Sequence, residues 1–128
     1  MAIPFRRVGP RYPCDVPVEV VSFLGGVRVA QGFLRDLGIE GALLRCAGRL
    51  ERAVTYCLRI SWEETLLELP GRVVRSASRD PRDPATRCYG IQFNLTRDQE
   101  NLLRGFVGAL RAEPPPAPRD IMRDYWKP

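Results

Sequence analysis

The sequence predicts a mainly β fold, an antiparallel barrel or sandwich of five or six short strands followed by one helix. Three observations carry that expectation. Short segments alternate apolar with polar residues, the connections between them are of hairpin length, and sustained helical spacing of apolar residues begins only after Thr96.

The first strand is expected from Cys14 to Phe23, where Val16, Val18 and Val20 stand at alternate positions and point one row of β-branched side chains at a core. Gly25-Gly26 then suits a tight hairpin turn. The return strand runs from Val27 to about Leu37 through Val29 and Phe33, and a third, Ala42 to Cys46, follows Gly41. Beyond a polar loop from Ala47 to Arg52, the segments Val54 to Ser61 and Thr65 to Ser76 read as two more strands. The second of these is interrupted at Pro70-Gly71 by a bulge, a bend or an edge position. Ser78 to Ala85, with two prolines and charges of both signs, is expected to be a surface loop before a last strand from Arg87 to Leu95.

Thr96 and Gln99 have capping-box spacing, so a helix should start there. Leu102, Leu103, Phe106, Val107 and Leu110 fall on one of its faces, which should lie across the barrel or plug one end. Pro114 to Pro116 and Pro118 end the helix and set a stiff, extended spacer. Ile121, Met122, Tyr125 and Trp126 then share one side of a short helical turn, suited to docking on the chain's own barrel or to anchoring another protein. The expected organisation is a flexible arm over 1–12, a barrel plus helix over 13–112 and a proline-rich tail over 113–128.

Composition narrows the function. At 128 residues and 45% apolar, the chain fits one domain with a real core and needs no staples. Its net charge of +5 favours anionic partners such as phosphates, nucleic acid or a membrane surface. Histidine is absent, which removes serine-histidine and cysteine-histidine catalysis and the histidine-bearing zinc sites. Glu63, Glu64 and Glu68 have no nucleophile or metal set to work with, so neither an enzyme nor a cofactor is expected. Cys14, Cys46, Cys57 and Cys88 stand singly, without a C-x-x-C pair, and suit small buried hydrophobes in a reducing cytosol; a disulfide or a reactive thiol is the alternative. The opening Met-Ala-Ile-Pro-Phe-Arg-Arg lacks the apolar run of a signal peptide, and no segment is apolar enough to span a bilayer. A cytoplasmic protein without membrane insertion is therefore expected.

Two clusters suggest chemistry. Arg7 and Arg11 form R-x-x-x-R just before the first strand, and Asp36, Gly38 and Gly41 form D-x-G-x-x-G between the second and third. A guanidinium bonds phosphate oxygens or the O6/N7 edge of guanine bidentately, and stacks on a purine face, of which lysine could do only part. A carboxylate such as Asp36 accepts from guanine N1–H and N2–H, while glycines let backbone amides come close to a ligand. Together the clusters describe a clamp for a guanine nucleotide. Each alone is weak: arginines on a basic arm are commonly solvated charge, and an aspartate followed by glycines is an ordinary turn.

In this order the segments resemble the PilZ family, whose hallmark is R-x-x-x-R followed one hairpin later by [D/N]-x-S-x-x-G. The match is Arg7-Val8-Gly9-Pro10-Arg11 and then Asp36-Leu37-Gly38-Ile39-Glu40-Gly41. Gly71-Arg72-Val73-Val74-Arg75, Tyr89-Gly90-Ile91-Gln92-Phe93 and the closing helix also look like the family's later elements, so the resemblance runs from Arg6 to about Leu110. It implies a six-stranded antiparallel β-barrel with a C-terminal helix packed on it, binding cyclic di-GMP at its outer rim. Arg7 and Arg11 would anchor phosphate and guanine with Arg6 beside them, Asp36 would accept from a guanine, and Gly41 would let the backbone turn under it. Gly38 stands where the family has serine, a lost hydroxyl contact of roughly twofold to tenfold in affinity, and its freedom to take a positive φ should add an ordering cost.

The function expected is a cyclic di-GMP receptor that signals through contacts with an unidentified effector protein in motility, pilus or biofilm machinery. A PilZ-fold scaffold that no longer binds nucleotide is the alternative. A third reading, single-stranded nucleic acid binding, needs exposed aromatic platforms. Phe33, Tyr56, Trp62, Tyr89 and Phe93 are the candidates, although Phe33 and Phe93 look like core positions and nucleic acid is not the expected partner. The sequence carries no sign of oligomeric state.

Overall fold

The computed structural model describes residues 10–80 and 83–112. Six strands precede one helix: β1 Tyr12–Ser22, β2 Arg28–Leu37, β3 Gly41–Cys46, β4 Thr55–Trp62, β5 Thr65–Asp80, β6 Asp83–Phe93 and α1 Arg97–Ala112. They close into an antiparallel barrel in the order β1-β2-β3-β6-β5-β4. Closure is made where Glu19 to Ser22 of β1 pairs with Arg59 to Tyr56 of β4, which decides between barrel and sandwich. A closed sheet leaves no unpaired edge.

Alternation along the strands fills the interior. Val16, Val18 and Val20 of β1, Leu58 and Ile60 of β4, Leu67, Leu69 and Val73 of β5, and Ile91 of β6 are all buried. Each such side chain contributes roughly 1.5–3 kcal/mol over leaving it exposed. Tyr56 and Tyr89 bury their rings in the same core and use their hydroxyls to hold the loop between β3 and β4. Tyr89 Oη accepts from the Leu50 N–H at 3.1 Å and donates to the Gly48 carbonyl at 3.3 Å, and Tyr56 Oη accepts from the Glu51 N–H at 3.0 Å.

Thr96 and Gln99 form the reciprocal cap expected of them: the Gln99 N–H donates to Thr96 Oγ1 at 3.2 Å and the Thr96 N–H to Gln99 Oε1 at 2.9 Å. Gln99 Nε2 also donates to the Glu68 carbonyl, which ties the start of α1 to β5. Leu103, Phe106 and Val107 join the barrel's core, with Phe106 edge-on to Trp62 at 5.3 Å between ring centroids.

Three expectations change, and one choice among alternatives is decided. Ser78 to Ala85 is not all loop, because β5 continues to Asp80 and β6 begins at Asp83, so ladder pairing extends into a stretch rich in proline and charge. Pro70 takes the edge position among the expected alternatives without breaking β5: it pairs with Cys57 of β4, the β6 ladder begins only at Gly71↔Phe93, and its carbonyl accepts from the Asn94 N–H just past the end of β6. Its missing N–H faces the same way, where no ladder bond is required. Leu102 is 44% exposed on the solvent side of α1, the apolar stripe being narrower than its spacing suggests. Phe33 is half-buried and sits outside the core cluster, whereas Phe93 belongs to it.

Candidate functional site

The start of β1, the β2–β3 turn and the end of β6 share one rim of the barrel, through the pairings Tyr12↔Leu37 and Gly41↔Gln92. Two irregularities at that rim shape the site. Against β1, Cys14 and Asp15 together face Arg35 alone; against β3, Arg35 is the extra residue between Leu34↔Leu44 and Asp36↔Leu43. Unbroken alternation would turn Leu34 and Asp36 to the same side. Instead Leu34 and Leu37 are the buried pair, and Asp36 is kept out of the core.

Freed in this way, Asp36 Oδ1 accepts from the Leu43 N–H at 3.0 Å and meets Arg11 Nη1 at 3.4 Å. Side-chain exposures of 15% for Arg11 and 14% for Asp36 make this a largely desolvated pair, stronger than a surface bridge. The turn itself is closed by the Gly38 N–H donating to the Gly41 carbonyl at 2.9 Å. Both glycines are buried, Gly38 under Pro10 and Arg11 and Gly41 under Arg11 and Ile91. A Cβ at Gly38 would stand 2.2 Å from the Pro10 carbonyl oxygen, and one at Gly41 would stand 2.7 Å from Arg11 Nη2 and 2.3 Å from the Ile91 carbonyl oxygen. Gly38 does not take a positive φ; that expectation is corrected, and close approach is what glycine provides here.

Arg11, Asp36, Gly38 and Gly41 are therefore brought together as the motif spacing implied. Arg6 and Arg7 lie outside the described residues, as does the tail over 113–128. The residue the motif does not contain is Arg111, in the last turn of α1. Its guanidinium lies over the Tyr12 ring at 4.5 Å and Nη1 donates to Tyr12 Oη at 3.3 Å. No spacing rule links residues this far apart, although a cation in a helix's last turn is a favourable place for one. On the other side of the turn, a hollow of about 310 Å³ beside Ile39 is lined by the carboxylates Glu40 and Glu100. Two carboxylates disfavour an anionic ligand in that hollow.

Cys14, Cys46, Cys57 and Cys88 form no disulfide with one another. Burial pushes the Cys14 and Cys46 thiols up to about 11 and raises Cys57 as well, so the reactive thiolate is disfavoured. Among the described residues no group of histidine, cysteine, aspartate or glutamate is arranged to hold a metal ion, and no helix is long and apolar enough to cross a membrane. Of the five aromatic residues considered as nucleic-acid platforms, Tyr56, Tyr89 and Phe93 are buried and Trp62 packs against Phe106, which leaves only half-buried Phe33 on the outer wall.

Fold and site together define a small closed antiparallel barrel in which Pro10 and Arg11 lie against a glycine turn. The chain belongs to the PilZ domain family, whose model matches residues 5–109. The PilZ domain of YcgR from Escherichia coli, in a structure with c-di-GMP, superposes with a TM-score of 0.66 at 13% identity, covering 84% of this chain and 93% of that one. The PilZ domain of CeSA from a cellulose-synthesizing bacterium gives 0.60 at 22% identity, covering 80% of this chain and 99% of that one. The Bacillus subtilis inhibitor of motility MotI/DgrA gives 0.62 at 16% identity, covering 87% of this chain and 54% of that one. No curated protein matches in sequence.

Proposed function

We propose that this chain is a cytoplasmic receptor for cyclic di-GMP that acts through protein contacts and performs no chemistry. One observation carries the reading: Arg11 of the R-x-x-x-R motif and Asp36 of the D-x-G-x-x-G motif meet at 3.4 Å, although 25 residues separate them. The two halves of the motif thus make one site, with a guanidinium for phosphate or guanine and a carboxylate for the guanine N–H edge. Arg6, Arg7, Arg11 and Asp36 are the proposed ligand contacts, with Gly38 and Gly41 as the floor. Family membership and the c-di-GMP in the YcgR structure support the choice of nucleotide, and MotI, an inhibitor of motility, supports a motility, pilus or biofilm effector.

Calorimetry with cyclic di-GMP tests the proposal. Arg11→Ala should weaken binding roughly tenfold to 150-fold, the worth of one charge-assisted contact. Equal binding by wild type and variant would remove the site from this rim.

A second reading is favoured by the same ion pair. Arg11 already has an anionic partner in the chain itself, as expected of a PilZ-fold scaffold that has given up the nucleotide. Absence of binding heat at high ligand concentration, with an effector protein still captured through the barrel or the 113–128 tail, would establish it.

A further inference from the structure

We infer that Gly38 is the residue that holds Pro10 and Arg11, the described end of the arm, closed on the β2–β3 turn before any ligand arrives, so that the Arg11 guanidinium is preorganised. The affinity part of this inference rests on the cyclic di-GMP reading; the docking part does not. The geometry is steric. The Pro10 carbonyl oxygen occupies the place of a Cβ at position 38, at 2.2 Å, and Arg11 Cγ lies 3.3 Å from the same point. The obstructing group is backbone, so it cannot swing aside as the end of a long side chain can. Any side chain at 38 therefore pushes the arm outward by about 1 Å before ordinary contact is restored.

That displacement reaches the functional groups directly. Arg11 Nη1 lies 3.4 Å from Asp36 Oδ1, at the long end of an ion pair, and Nη2 lies against Gly41. Moving Pro10 and Arg11 outward opens the first contact and lifts the guanidinium off the second. In the docked state the ordering of Arg11 is completed during folding, and a ligand meets a guanidinium already held in place. With a side chain at 38, the same ordering has to occur during binding.

The consequence opposes simple motif arithmetic. Restoring serine at 38 supplies a hydroxyl, worth roughly twofold to tenfold in affinity if it bonds the ligand well. It also undocks the arm, which weakens every contact made by Arg11. The second effect wins because it acts on the charged group and the first on a neutral one.

Trypsin reads the docking without any ligand, by cutting after Arg11. In the ligand-free wild type the Arg11–Tyr12 bond should already be protected, cut far more slowly than in the urea-unfolded chain, and saturating cyclic di-GMP should slow cleavage further, because opening forfeits the Arg11 contact. Gly38→Ala and Gly38→Ser should be cut there roughly tenfold faster while circular dichroism still shows the barrel. By calorimetry Gly38→Ser should bind cyclic di-GMP about fivefold or more weakly than wild type.

Cleavage of the variants at the wild-type rate, cleavage of the ligand-free wild type as fast as in the urea-unfolded chain, or tighter binding by Gly38→Ser would each overturn the inference. The wild-type measurement decides even if both variants fail to fold. If no form binds the nucleotide but the cleavage rates differ as stated, the ligand reading fails and the docked arm stands.

Discussion

Two glycine-bearing turns in this barrel are built on different physics. The β1–β2 turn is self-contained. Gly25 and Gly26 take φ of +90° and +63°, the Ser22 N–H donates to the Val27 carbonyl at 2.7 Å, and Ser22 Oγ bridges the Leu24 carbonyl and the Val27 N–H. Nothing crowds it: the nearest atom to a Cβ at Gly25 is Ser22 Oγ at 4.0 Å. The β2–β3 turn needs no left-handed residue, yet Gly38 and Gly41 are enclosed by backbone from residues far away in sequence. Glycine serves conformation in the first turn and proximity in the second. Only the second carries the proposed site.

The sharpest way to break this contrast is alanine at each turn, measured by urea denaturation. Gly41→Ala should cost about 3 kcal/mol, because the new methyl meets the Ile91 carbonyl at 2.3 Å inside a closed ladder that has no room to relax. Gly25→Ala should cost about 1 kcal/mol, the penalty of a left-handed alanine in open space. Equal losses would mean that conformation, not proximity, governs both turns.

The contrast also explains what could be read from the sequence. Gly25-Gly26 as a turn, the Val16, Val18 and Val20 row and the Thr96–Gln99 cap are local, each set by residues within a few positions of one another. The closure of β1 on β4, the Pro10 and Ile91 carbonyls over the glycines, and Arg111 over Tyr12 are tertiary, and no periodicity encodes them. The D-x-G-x-x-G spacing located the turn correctly, but the reason offered for Gly38 was the one that applies to Gly25. Pro70, Asp80 and Asp83 show the complementary case: strand pairing is made at residues whose local preference is against it.

A smaller effect tests whether Arg111 belongs to the site rim or merely to its surroundings. Its guanidinium covers the ring of Tyr12, the residue next to Arg11, so Arg111→Ala should lower stability by about 1 kcal/mol through the lost cation–π contact and hydrogen bond. Arg111→Lys should recover part of this, since the ammonium keeps the charge over the ring but not the planar fork. If the rim is one packed unit, Arg111→Ala should also speed trypsin cleavage after Arg11; an unchanged rate would confine the unit to Pro10, Arg11 and the β2–β3 turn.

The smallest expected effect comes from a third turn, in which the conformation is strained and no glycine relieves it. Trp62 and Thr65 close the two-residue β4–β5 hairpin, and Glu63 takes a φ of +55° there. A left-handed non-glycine residue costs about 1–2 kcal/mol, and glycine in its place loses back roughly 0.5–1 kcal/mol through a freer unfolded chain. Glu63→Gly should therefore stabilise the barrel by about 0.5 kcal/mol, with a further small gain from separating Glu63 from Glu64. The sign is the informative part. A gain at Glu63 beside a loss at Gly25→Ala would show that conformation alone sets these two exposed turns. Gly41 would then stand apart as the position where an approaching backbone, and not the residue's own φ, makes glycine necessary.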